Sequence, residues 1–141
     1  MRTVTIEQFM EFDPCYSKDK IKKIAGDKAE WTALDVLRLD VVPASDRLWA
    51  VLREDFVDAP IMHEFACRCA EKALSRVEKP DPRSVEAIAV KRAWLRGEAT
   101  DDELSAAWSA ARSAAWDAAR SAARSAAWDE QVTMLIEMLE D

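Results

Sequence analysis

The chain has 141 residues and a mass of 15.9 kDa, room for one ordinary domain and little more. Twenty Lys and Arg stand against 27 Asp and Glu, a net charge of -7, which disfavours general electrostatic binding to DNA or RNA. Half the residues are apolar, only two are Gly and only one is His; this composition suits a globular, helical protein with few routes to acid–base catalysis at neutral pH.

Helix signals follow one another along the chain. Thr5 with Gln8 forms a capping box before Phe9 and Met10, and Pro14 stops that short helix. Ser17 precedes Ile21, Ile24 and Ala25, and Gly26 closes the segment. Trp31, Leu34 and Leu37 step by three towards Val41, with Pro43 ending the run. Ser45 is the expected cap of a helix carrying Leu48, Trp49, Leu52 and Phe56. Pro60 opens the next helix, whose apolar stripe runs Met62, Phe65, Ala66, Cys69, Ala70, Ala73, Leu74, Val77. Asp81 caps and Pro82 begins another, with Val85, Ile88, Ala89 and Leu95 inward and Gly97 at its end. Thr100 with Glu103 is a further capping box. Nothing breaks the chain beyond it, so one helix is expected to run to the C-terminus, with room for a bend.

The fold class expected is therefore all-α: a single-domain helical bundle over 1–141 with a long Ala-rich C-terminal helix. Short helices occupy 1–44, core helices 45–97, and the repeat helix 100–140. No sheet of three or more strands is expected. Leu48, Leu52, Met62, Phe65, Cys69, Ala70, Ala73, Leu74, Ile88 and Leu95 are the expected core.

Residues 104–131 repeat in fours: LSAA, WSAA, RSAA, WDAA, RSAA, RSAA, WDEQ. A large side chain recurs at Leu104, Trp108, Arg112, Trp116, Arg120, Arg124 and Trp128. Each step of four turns the stripe about 40° on a straight helix, so it spirals about 240° from first to last. Ala makes the segment helical in almost any context. Trp and Arg at i, i+4 are surface neighbours and stack as cation–π pairs. Such a helix serves as scaffold, with Trp in the core and Arg over its rings. It serves equally as an interface, because Trp and Arg dominate binding hot spots. The three Trp cannot all face one core, so Trp108, Arg112, Trp116, Arg120, Arg124 and Trp128 are taken as the partner-binding residues, with at least one Trp exposed.

Other constellations are poor in chemistry. His63, Cys67 and Glu71 share a helix flank at steps of four, but Cys67–Arg68–Cys69 is not a zinc-ligand spacing, and Cys69 falls on the apolar stripe. No phosphate loop and no nucleophile or metalloprotease motif is present. No cofactor, no metal and no catalytic residue are expected. Asp101 and Asp102 suit a helix start. Glu54, Asp55 and Asp58 form a second acidic cluster, a solvated helix end or a face for a basic partner such as a nuclease surface. The N-terminus lacks a signal-peptide pattern, no run of apolar residues reaches membrane-spanning length, and three Cys are an odd number. A cytoplasmic protein with reduced thiols and no membrane partner is expected.

The runs Arg47–Arg53, Phe65–Leu74, Asp81–Ser84 and Lys91–Glu98 resemble the Imm5-like family of immunity proteins, whose members also carry an Ala-rich tail of AAW and AAR repeats. The resemblance covers roughly residues 45–131. Family members often read FACDCAE where this chain has Arg68, and often have Pro where this chain has Ser84. The resemblance implies a non-enzymatic protein that neutralises a toxin by binding it, and implies no catalytic residue. The first 44 residues look closer to a phage-borne subgroup, which implies an inhibitor of a host defence system, such as an anti-CRISPR protein. A self-assembling helical module, pairing copies through 104–128 into a homodimer, is the reading from another class.

Overall fold

The structure is a computed structural model. It describes residues 1–119 and 124–141, and their side chains except those of 111–119 and 124–127. Helix accounts for 65% of the chain, and the described residues form two compact units. Unit 1 is Met1–Met62 with Trp128–Asp141, and unit 2 is His63–Ala127.

Unit 1 begins with a strand that the helix-rich composition hides. β1 (Thr3–Thr5) pairs antiparallel with β2 (Glu30–Thr32), in the register Val4 to Trp31. The i, i+3 spacing of Trp31, Leu34 and Leu37 reads as one helix. In the structure Trp31 belongs to β2, and α3 covers only Ala33–Leu37. The capping box of Thr32 and Asp35 explains the boundary: the Asp35 backbone N–H donates to Thr32 Oγ1 at 3.2 Å, and the Thr32 N–H donates to Asp35 Oδ2 at 2.8 Å. These bonds also set the Asp35 acidity. Burial alone would raise it, but the Thr32 bonds and the Lys28 ammonium hold it below the usual carboxylate value.

The other caps of unit 1 are closer to expectation. Thr5 and Gln8 form their capping box at the start of α1 (Ile6–Met10). Ser17 caps α2 (Lys18–Ala25), and Gly26 ends it at φ 61. Ser45 is not a cap: α4 (Ala44–Val51) starts after Pro43, without a side-chain cap bond. The core of unit 1 gathers Val4, Leu37, Leu48, Val51, Phe56, Val57, Val132 and Leu135. Val132 and Leu135 come from α8 (Arg124–Glu140), so the end of the chain completes a core made largely by its beginning.

Unit 2 is simpler. α5 (Ala59–Ser75) starts in unit 1, one residue before Pro60, and continues into unit 2; α6 (Pro82–Leu95) and α7 (Asp101–Ala119) pack along each other there. Asp81 caps α6 by accepting from the Arg83 N–H at 2.8 Å, and the Arg83 guanidinium holds the Asp81 carboxyl down at about 2. Gly97 at φ 75 closes α6: its N–H donates to Trp94 O at 3.0 Å, and the Glu98 N–H donates to Ala93 O at 2.8 Å. This double bond pattern satisfies carbonyls that the helix end would leave open. Thr100 and Glu103 make the expected capping box of α7. The continuous helix expected through 100–140 includes 120–123, which lie outside the described residues; on either side the structure describes two helices, α7 and α8.

Several expected core positions are corrected. Leu52, Ala73 and Leu95 are exposed, and Val77 lies beyond the end of α5. Leu52 is the cap residue after α4 and Leu95 the last residue of α6, so each has left the face that its helix buries. On α5 the fully buried thiol is Cys67, not Cys69, which is half-buried. Burial raises both thiol pKa values, that of Cys69 to about 11.

Candidate interaction surface

An aromatic–guanidinium cluster stands on the surface of unit 1. α1 carries Phe9, and the turn continues past it: the Phe12 N–H donates to Phe9 O at 3.0 Å, and the Asp13 N–H to Met10 O at 3.2 Å. Asp13 at φ 57 then reverses the chain. α4 carries Trp49, with Arg53 four residues on, just past the helix end. The Arg53 side chain folds back and donates from Nε to Ala50 O and from Nη2 to Trp49 O, each at 2.9 Å. A cation at the last carbonyls of a helix satisfies open acceptors and opposes the helix dipole.

This anchoring fixes the guanidinium between two rings. It lies 4.2 Å from the Phe12 centroid and 4.7 Å from that of Trp49. Phe9 meets Phe12 and Trp49 edge to face, at 5.7 and 6.3 Å. Each cation–π contact is worth about 0.5–1 kcal/mol at an exposed site. Trp49 remains 45% exposed. The cluster is thus rigid, aromatic and open to solvent, the combination found at binding hot spots.

Carboxylates flank it. Glu7, Glu11 and Asp13 lie on either side of Phe9 and Phe12, and Glu54 and Asp55 follow Arg53; all five are exposed and none has an ion-pair partner among the described residues. Asp58, expected to join Glu54 and Asp55 in an open acidic cluster, is instead neutralised by Arg2 at 2.7 Å.

Behind Phe9 lies an almost wholly apolar cavity of about 90 Å³, walled by Val4, Ile21, Ile24, Trp31 and Val36 among others. The Tyr16 hydroxyl donates to Asp46 Oδ2 at 2.6 Å on its wall, and this bond raises the Tyr16 pKa. Arg47, also on the wall, is 9% exposed; it donates from Nη1 to Leu37 O at 2.7 Å, while its Nε–H has no acceptor. The cavity is smaller than one of about 150 Å³ that is known to hold benzene.

Of the six residues expected to bind a partner, Trp108 and Trp128 have described side chains. Trp108 lies in unit 2 and is 54% exposed; Trp128 lies in unit 1 and is 38% exposed. The side chains of Arg112, Trp116, Arg120 and Arg124 lie outside the described residues. Exposure of Trp108 meets the expectation that at least one repeat Trp faces solvent.

The chain matches no family model, no curated protein and no solved structure.

The one histidine is engaged in packing. His63 meets Trp94 edge to face at 5.5 Å, and the Trp94 Nε1–H donates to Asp101 Oδ1 at 2.7 Å. Glu71, the third member of the flank considered for zinc, accepts from Arg92 Nε at 2.6 Å. Arg92 also reaches Glu64 at 2.8 Å, and Arg68 meets the same carboxylate at 2.9 Å. The Arg92 and Arg68 guanidiniums hold the Glu64 carboxyl below its ordinary value. Among the described residues, no group of three or more His, Cys, Asp and Glu stands ready for a metal ion, and no helix is long and apolar enough to cross a membrane.

Sequence reasoning applied the i, i+4 Trp–Arg rule to the repeat and passed over the same pair at Trp49 and Arg53. That pair was legible. It was hidden because Trp49 sits next to Leu48 in an apolar run and reads as core. In the structure Leu48 is buried and Trp49 turns outward.

Proposed function

We propose that this protein works without catalysis, by binding and inhibiting another protein, as the Imm5-like resemblance implies for a toxin-neutralising immunity protein. The observation that carries this reading is the Trp49–Arg53–Phe12 stack, held rigid by two backbone hydrogen bonds and left open to solvent. The part of the Trp49 ring that stays in solvent is available for a partner to cover. The exposed Trp108 supports a second contact region on the repeat, which we read as a continuous helix over 100–140 with Arg112, Trp116, Arg120, Arg124 and Trp128 contributing. We place the protein in the cytoplasm, with a protein target and with neither nucleic acid nor membrane as a partner.

A phage-encoded inhibitor of host defence, such as an anti-CRISPR protein, would use the same surface chemistry; the phage-like character of residues 1–44, which contain Phe9 and Phe12, favours it as the second reading. A self-assembling module would instead bury Trp108 against a second copy.

One experiment separates the three. Tagged wild-type protein and the Trp49→Ala and Trp108→Ala variants are used to capture proteins from the native host, with mass spectrometry of what is retained. A single host protein held by the wild type and lost with Trp49→Ala supports the inhibitor, and its identity decides between toxin and defence component. Recovery of only the protein itself, as a dimer broken by Trp108→Ala, replaces the inhibitor reading with self-assembly.

A further inference from the structure

We infer that the aromatic cluster of unit 1 receives a basic partner surface: a protein segment that lays an apolar or aromatic side chain against Trp49 and sets Lys or Arg side chains over the surrounding carboxylates. The inference rests on the reading of this cluster as a protein-binding site and adds the chemistry of what binds there.

Charge complementarity selects the partner. Five exposed carboxylates, Glu7, Glu11, Asp13, Glu54 and Asp55, lie within two residues of Phe9, Phe12 or Arg53. Two cations of this region are already engaged. Arg53 is held between its two rings and by two backbone carbonyls. Arg2 is held by Asp58 and by the Glu54 carbonyl. An acidic partner would therefore meet several uncompensated carboxylates next in sequence to the cluster, and rejection of wrong partners is what such like charge does well. A basic partner meets an apolar, desolvatable centre with a polar rim, the anatomy of an ordinary protein interface.

The physical consequences differ between centre and rim. The ring contributes to holding the complex together, so its loss speeds dissociation. The carboxylates act before contact, by drawing the partner in, so their loss slows association and removes the salt dependence.

The probe is a library of random linear peptides displayed on phage, selected on the full-length protein. Selected peptides are then measured against wild type, Trp49→Ala, and the double variant Glu11→Lys with Glu54→Lys. The double variant changes only exposed side chains and leaves the rings and Arg53 in place, so it stays informative even if Trp49→Ala loosens α4. The expected outcome is a set of peptides with net positive charge and an aromatic or aliphatic residue. Each should bind about tenfold or more weakly to either variant, and its binding to the wild type should weaken as salt rises. Neutral or acidic peptides that depend on Trp49 would overturn the basic partner while leaving the site itself. Basic peptides that bind both variants as well as wild type, or a selection that enriches nothing, would remove the site and the functional reading with it.

Discussion

The two units reach stability by different routes. Among the described residues, unit 1 buries Leu37, Leu48, Val51, Phe56, Val57, Val132 and Leu135, brought together from α3, α4, the turn after α4, and α8. Among its described side chains, unit 2 buries Phe65, Cys67 and Ala87, and it organises itself with helix caps, ion pairs and the Trp94 contacts. The first is a core of distant contacts with little local regularity. The second has long helices whose ends are signalled by their neighbours in sequence. A core depends on shape and is unforgiving, whereas a cap or an exposed ion pair is a local and modest term.

The largest effect that tests this contrast is a cavity mutation in each unit. Leu135→Ala in unit 1 removes a wholly buried side chain and should cost about 2–5 kcal/mol in a urea titration. Leu74→Ala in unit 2 removes a half-buried one and should cost about 1 kcal/mol. Equal losses would break the contrast.

The two glycines come next. Neither has an atom within 4 Å of where a Cβ would stand, so alanine tests backbone conformation alone. Gly26 combines φ 61 with ψ -133, close to a region that only glycine occupies readily, and Gly26→Ala should cost about 1–3 kcal/mol. Gly97 at φ 75 closes a helix, and Gly97→Ala should cost about 1 kcal/mol. The order of the two losses in thermal melts is the check.

Acid and alkali can each be probed at one group, Glu64 in unit 2 and Tyr16 in unit 1. Glu64 in unit 2 has a lowered pKa, because Arg92 and Arg68 favour its charged form. Its contribution is present above its ordinary value of 4.5 and fades as the pH falls through the lowered one. Tyr16 in unit 1 has a raised pKa, chiefly through its bond to Asp46. Its contribution is present below 10.0 and fades as the pH rises through the raised value. Glu64→Gln should flatten the acid limb of a stability–pH curve and leave the alkaline limb; Tyr16→Phe should do the reverse.

The smallest effect is chemical. Cys15 is exposed in unit 1, while burial raises the pKa of Cys67 and Cys69. At neutral pH a thiol reagent should label one cysteine of three quickly, and mass mapping should place the label on Cys15. Fast labelling of Cys69 would show that unit 2 opens more readily than its packing implies.

What could be read from the sequence divides along the same line. The caps at Thr5, Ser17, Asp81 and Thr100, and the closing Gly26 and Gly97, were all legible, because capping is a matter of neighbours within four residues. The pairing of Thr3–Thr5 with Glu30–Thr32 was not, since three-residue strands carry no periodicity and their partner lies far along the chain. The burial of Leu135 gave no signal for the same reason. At the candidate site, the pairing of Trp49 with Arg53 could be read as an i, i+4 stack, but its completion by Phe9 and Phe12 depends on how α1 and α4 meet in space.

The contribution of α8 to the core of unit 1 also sets an order of events during synthesis. Residues 1–62 emerge from the ribosome first, yet Val132 and Leu135 are made last. At about 5–20 residues per second, the 65 residues of unit 2 delay their arrival by about 3–13 s. For that interval the N-terminal segment carries an apolar face that Val132 and Leu135 do not yet cover. Unit 2 is therefore free to form while α8 is still being made, and unit 1 closes only once Leu135 has emerged. A stalled or truncated product would keep the well-capped helices of unit 2 and leave Leu37 and Val51 open to chaperones.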